Sequence, residues 1–177
     1  MCINRHRKVR GMTLVEMMVA IGIGGIVLAA FASLSFYTAR SLAAMSNYAD
    51  LDRQSRNALD QMTLKIRSAE RLTSFSTNEV LFLYQGETLK YTFNPSAKTL
   101  SETSGTQTRV LLEDCDQLQF SMFQRNVISN SFTQVPTPTS DEAKSIIVTW
   151  TCSRSLLGNL INSESVQSAR IVIRNNP

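Results

Sequence analysis

The sequence predicts an α+β protein: a long N-terminal helix whose first half spans a membrane, packed on a C-terminal, mostly antiparallel β-sheet head. Three observations carry this. Met12 to Phe36 is a run of 25 residues in which Glu16 is the one charged residue. As a helix that run rises about 38 Å, enough to cross a hydrocarbon core of about 30 Å. Apolar and small residues then recur at Leu51, Ser55, Ala58/Leu59, Met62, Ile66 and Ala69, one stripe of a 3.6-residue period. Beyond Thr73 the period falls to two, and Gly, Pro and Asn punctuate the chain.

Residues 1–11 form a basic leader with Arg5, His6, Arg7, Lys8 and Arg10. Lys and Arg on one flank of a spanning helix hold that flank in the cytoplasm. The rest of the chain after the span is then expected outside. Residues 12–36 are the transmembrane half of the helix. Gly22, Gly24 and Gly25 do not form a phosphate loop, because no strand precedes them and no Lys-Ser/Thr follows. Small residues four apart, Ala20/Gly24 and Gly25/Ala29, allow close approach of a neighbouring helix. No Pro occurs before Pro95 and no Gly between Gly25 and Gly86, so nothing stops the helix at Phe36. Residues 37–72 continue it as an amphipathic half, with Asp50, Asp52, Arg53, Arg56, Asp60, Lys65, Arg67, Glu70 and Arg71 on the wet side. One helix is predicted from Met12 to near Leu72.

Residues 73–177 are read as the β-rich head. Glu79–Tyr84 and Thr88–Asn94 flank a Gln85-Gly86-Glu87 turn, and Pro95–Lys98 turns into Thr99–Glu102. Ser104-Gly105 precedes Thr108–Glu113. Leu118, Phe120 and Met122 alternate with polar residues in a half-buried strand. The stretch from Asn126 to Glu142, with Pro136 and Pro138, reads as a long loop. Lys144–Arg154 is a strand with Ile146, Val148 and Trp150 on one face. Gly158 marks a turn region, and Ser165–Arg174 is the last strand, with Val166, Ala169/Ile171 and Ile173 partly inward. Six or seven strands joined by short turns imply an antiparallel sheet, whose apolar face needs the Leu59/Met62/Ile66 stripe as its cover.

The formal charge of +4 belongs to the leader. Four of the 18 bases lie there, leaving 14 bases against 14 acids. A neutral remainder has no electrostatic footprint for nucleic acid. The single His is His6, so residues 12–177 hold no Ser-His, Cys-His or His-metal arrangement, and an enzyme is not expected. Glu113, Asp114 and Asp116 are the densest acidic cluster, but they lack a calcium-loop pattern and read as a solvated turn. No cofactor is implied. Cys2 lies in the leader. Cys115 and Cys152 are candidates for one disulfide, which would close a loop of 37 residues and contribute about 3–4 kcal/mol; the alternative is two buried free thiols.

The leader, Gly11 and Met12-Thr13-Leu14-Val15-Glu16, followed by the apolar run, resemble the prepilin cleavage and methylation motif of type IV pilins and type II secretion pseudopilins. The resemblance covers Gly11 to about Ala30. It implies that prepilin peptidase cuts after Gly11, that the new N-terminus Met12 is N-methylated, and that Glu16 is the acid at the fifth mature position. It further implies a pilin-like fold, a place in the inner membrane and then in a filament, and other pilins or pseudopilins as partners. Two departures are Met12 where the family usually has Phe, and Ser33 where it often has Pro; the second removes an expected kink. The size of the head and its succession of strands look like the larger J- or W-type minor subunits. Lipid offers Glu16 no partner, so on this reading its charge is met by a neighbour's N-terminal amine. Two other readings use the same residues: a plain signal anchor, and a secretory signal cut after Ala32 in Ala30-Phe31-Ala32.

Overall fold

The computed structural model describes residues 11–125, 134–137, 139–155 and 164–173. The leader up to Arg10, most of the expected 126–142 loop and the Gly158 turn lie outside the described residues. The chain separates into two compact units, residues 1–42 and 43–177. Helix α1 runs from Leu14 to Ser68. In the first unit its apolar side chains are exposed: Leu14, Ile26 and Phe36 are 75%, 74% and 78% accessible. The helix is long and apolar enough, by length and composition, to cross a membrane.

In the second unit α1 buries Leu51, Ser55, Ala58, Met62 and Ile66, the spacing of one helical face. The expected stripe is therefore the docking face. Ala69 is buried too, but just past the helix end. The chain turns there, because β1 (Arg71–Phe75) starts where continued helix was expected. Leu72 enters the core as a strand residue and pairs with Phe82. The helix-forming composition near Arg67–Arg71 gives way to the ladder offered by the neighbouring strand.

Two antiparallel sheets stand where one was expected. The first is a meander of β1, β2 (Glu79–Tyr84), β3 (Glu87–Asn94), β4 (Thr99–Ser104) and β5 (Gln107–Leu112) in sequential order. Gln85 and Gly86, at φ of 52° and 77°, make the two-residue turn between β2 and β3; such a turn needs left-handed backbone that Gly adopts at no steric cost. Asn94 Oδ1 accepts from the N–H groups of Ser96 and Ala97 at 3.0 and 3.2 Å, which shapes the next turn. The second sheet has the order β7 (Gln134–Pro136), β6 (Cys115–Arg125), β8 (Ser145–Ser153), β9 (Glu164–Val172). Opposed pairs Leu118/Trp150, Phe120/Val148 and Ile146/Ile171 line its inner face. In β9 the inward residues are Ser165, Ala169 and Ile171, whereas Val166 is 59% exposed. The expectation for Val166 fails because a strand alternates: Val166 cannot share a face with Ala169 and Ile171.

The stripe spans both sheets, and polar ties mark where each begins. Asp50 meets Arg154, Asp52 accepts from Gln167, and Ser55 accepts from Trp150 Nε1 at 3.2 Å, all on or beside the four-stranded sheet. One to three turns further on, Gln61 accepts from Arg109 and Lys65 Nζ donates to Glu102 at 2.5 Å, on the meander. Glu102 shares its inward parity with Leu100 and is buried. It also accepts from the Tyr91 hydroxyl at 3.2 Å. Burial first, and the Glu102 carboxylate second, push the Tyr91 phenol above its ordinary range.

Arg154 fastens the other end. Its Nη1 donates to Asp50 at 3.1 Å and its Nε to Asp114 at 2.8 Å. Hydrogen bonds from Arg154 and then Arg53 hold the Asp50 carboxyl below its usual value. A carboxyl depressed in the folded state adds stability above its ordinary pKa of 3.8, and that stability is lost as the pH falls through the lower folded value. Urea midpoints measured from neutral pH downward should therefore begin to converge for wild type and Asp50→Asn near pH 3.8 and meet below the lowered folded value. Parallel curves would show that Asp50 contributes nothing through its charge.

Candidate processing and assembly site

The site starts at Gly11, which is exposed and would meet nothing within 4 Å if it carried a Cβ. Met12 and Thr13 follow outside any regular element before α1 begins. Thr13 is the N-cap. Its carbonyl accepts the first helical bond, from the Met17 N–H at 3.2 Å. Its hydroxyl takes the Glu16 N–H at 3.3 Å, and Glu16 Oε2 accepts from the Thr13 N–H at 2.9 Å and from the Thr13 hydroxyl at 3.2 Å. This reciprocal pair is a capping box.

The box gives Glu16 partners that the sequence reading did not include. Its carboxylate was expected to be without a partner in lipid, yet the chain itself supplies two donors, both on Thr13. The signal was present in the sequence as Thr13-x-x-Glu16 just before an apolar run. Two unsatisfied N–H groups of the first turn thus acquire acceptors. A carboxylate at a helix N-terminus also opposes the positive end of the helix dipole.

Behind the box the helix presents an exposed apolar surface interrupted by small residues. Gly22, Gly24 and Gly25 have no atoms within 4 Å of a virtual Cβ, so the backbone is bare on those sides. Such positions let a second helix approach closely.

The acidic cluster of the head is engaged internally. Asp114 holds Arg154, and Asp116 holds Lys98 at 2.7 Å and the Ser153 hydroxyl. Burial works against the charge on Asp116, but the hydrogen bonds from Lys98 and Ser153 outweigh it and keep the carboxyl below its usual range. These carboxylates act as links between the β5–β6 turn, the β3–β4 turn and the end of β8.

Cys115 and Cys152 are brought together. They are opposed residues of β6 and β8, and both are buried. The contact with Cys152 and then burial push the Cys115 thiol up. The Cys115 S–H lies 3.4 Å from the Gln117 carbonyl.

A family model described as the prokaryotic N-terminal methylation motif matches residues 6–32. That span takes in Gly11, Met12, the capping box and most of the exposed apolar run. No curated protein matches the chain. The chain therefore carries the motif characteristic of type IV pilins and pseudopilins, on a pilin-like α+β architecture of one long N-terminal helix packed against antiparallel sheets. Proteins built on this motif are precursors of structural subunits, and the apolar helix fits anchoring in a membrane.

Proposed function

We propose that the chain is a minor pilin or pseudopilin, a structural subunit of a type IV pilus or type II secretion filament, possessing no enzymatic role. Prepilin peptidase removes residues 1–11, and the new N-terminus at Met12 is methylated. Until assembly the subunit sits in the inner membrane with its N-terminus in the cytoplasm and its head outside. Assembly draws α1 out of lipid and packs it against the helices of sister subunits. Within the family, the nine-stranded head among the described residues suits a J- or W-type subunit.

The observation that carries this reading is a coincidence of positions. The methylation motif over residues 6–32 falls on a helix whose side chains bury nothing within the chain up to Phe36. A helix that is apolar all round needs lipid or other helices about it. Bare glycine faces and a capped, charged first turn favour helices as the final surroundings.

Intact mass of the protein recovered from cells tests the reading. A chain starting at Met12, with or without one methyl group, supports it. A start at Ser33 would mean ordinary secretion, and a start at Met1 a plain anchor. Gly11→Val is expected to leave the full-length chain in the membrane, because a branched side chain would crowd a backbone that Gly leaves open to the peptidase. Normal processing of that variant, read as the same mass step on a gel, would overturn cleavage at this bond.

A further inference from the structure

We propose that Cys115 and Cys152 form an intrachain disulfide that staples β6 to β8 beneath α1, made by exchange with a glutathione or protein disulfide while the head is still open. The proposal rests on the outward placement of the head given above, since thiols persist in the cytoplasm and bridges form outside it.

The backbone is built to bring these two residues face to face. Inward residues of β6 are Leu118, Phe120 and Met122, so plain alternation would turn Asp116 inward and Cys115 outward. A β-bulge between Cys115 and Gln117 changes the phase. Gln117 pairs with Thr151, Asp116 is skipped, and Cys115 takes the place opposite Cys152. Both cysteines are then buried, at 0% and 1% exposure. A bulge re-aims a side chain at the cost of one ladder pair. Here the displaced Asp116 is held outside by Lys98 and Ser153.

Opposed residues of an antiparallel pair have Cα atoms about 4.5–5.5 Å apart, inside the range of about 4.4–6.8 Å that a disulfide spans. The register sets the two cysteines directly opposite each other, and both face the core. The pair also lies at the helix seam. Ser55 of α1 contacts Cys152 and accepts from Trp150, two residues along β8. A covalent link there would hold together the two central strands of the sheet beside α1.

The oxidant is the external glutathione or protein disulfide. One cysteine thiolate attacks the oxidant's disulfide and expels one thiolate. The second cysteine, having lost its proton to solvent, attacks the mixed disulfide and expels the other. The chain loses two hydrogens, and the oxidant gains them as two thiols. Burial of both sulfurs means that exchange precedes closure of the head and that the finished bond is shielded from reductants.

The test uses the full chain. Cells are quenched in acid, free thiols are alkylated with N-ethylmaleimide under denaturing conditions, and Cys115 and Cys152 are read by peptide mapping without reduction. In parallel, the purified chain is reduced, then refolded in detergent with glutathione disulfide. A linked Cys115–Cys152 peptide from cells is the expected result. Alkylated thiols from cells together with a linked peptide after refolding would keep the pair as a disulfide site and overturn the outward placement of the head. Alkylated thiols in both arms would overturn the disulfide. Cys152→Ser should abolish the linked peptide in either arm.

Discussion

Trp150→Ala is expected to destabilise the head by about 3–5 kcal/mol, the largest effect of any single truncation proposed for it. Trp150 is the one tryptophan of the chain and is almost completely buried. It sits on β8 opposite Leu118, and its indole N–H donates to Ser55 on α1. Truncation would leave a void between helix and sheet, and a dense core relaxes only partly into such voids. It would also remove the donor that satisfies a buried hydroxyl, a loss that costs about 1–3 kcal/mol. Trp150→Phe separates the two contributions, because it keeps most of the volume and loses the N–H. Urea unfolding of the detergent-solubilised chain, followed by circular dichroism since the variant has no tryptophan, gives both numbers. A loss below about 1 kcal/mol for Trp150→Ala would place the seam elsewhere.

Glu16→Leu is expected to be inserted and cleaved normally, yet to be absent from filaments and from complexes with partner pilins. The capping box changes how this result is read. Replacement by Leu removes both the charge and an acceptor that the Thr13 N–H uses. Loss of an N-terminal cap costs about 0.5–2 kcal/mol and frays the first turn. Glu16→Gln retains an acceptor suited to the box and removes only the charge. If assembly needs the carboxylate to meet a neighbour's N-terminal ammonium, both variants fail. If assembly needs only an ordered first turn, Glu16→Gln assembles and Thr13→Ala fails. Recovery of Glu16→Leu in assemblies at wild-type level would exclude both mechanisms. Co-purification with partner subunits is the measurement.

Much of this was legible because it depends on near neighbours in the chain. The apolar run from Met12, the basic leader and the Gly11/Glu16 spacing need no tertiary context. Nor does the stripe at Leu51, Ser55, Ala58, Met62 and Ile66, which the structure buries as one face. The box between Thr13 and Glu16 was equally local, readable from a spacing of three.

What the sequence by itself determined is therefore a long helix with two kinds of surface, followed by short alternating strands. Periodicity is a property of a segment, so it survives without knowing the partner of that segment. Only the tertiary structure decided the division into two sheets and the end of α1 at Ser68. Each of those depends on which distant strand supplies the hydrogen bonds. The bulge before Gln117 is the sharpest instance. One unpaired residue reverses the facing of Cys115, and its position is set by the register against β8, more than 30 residues away.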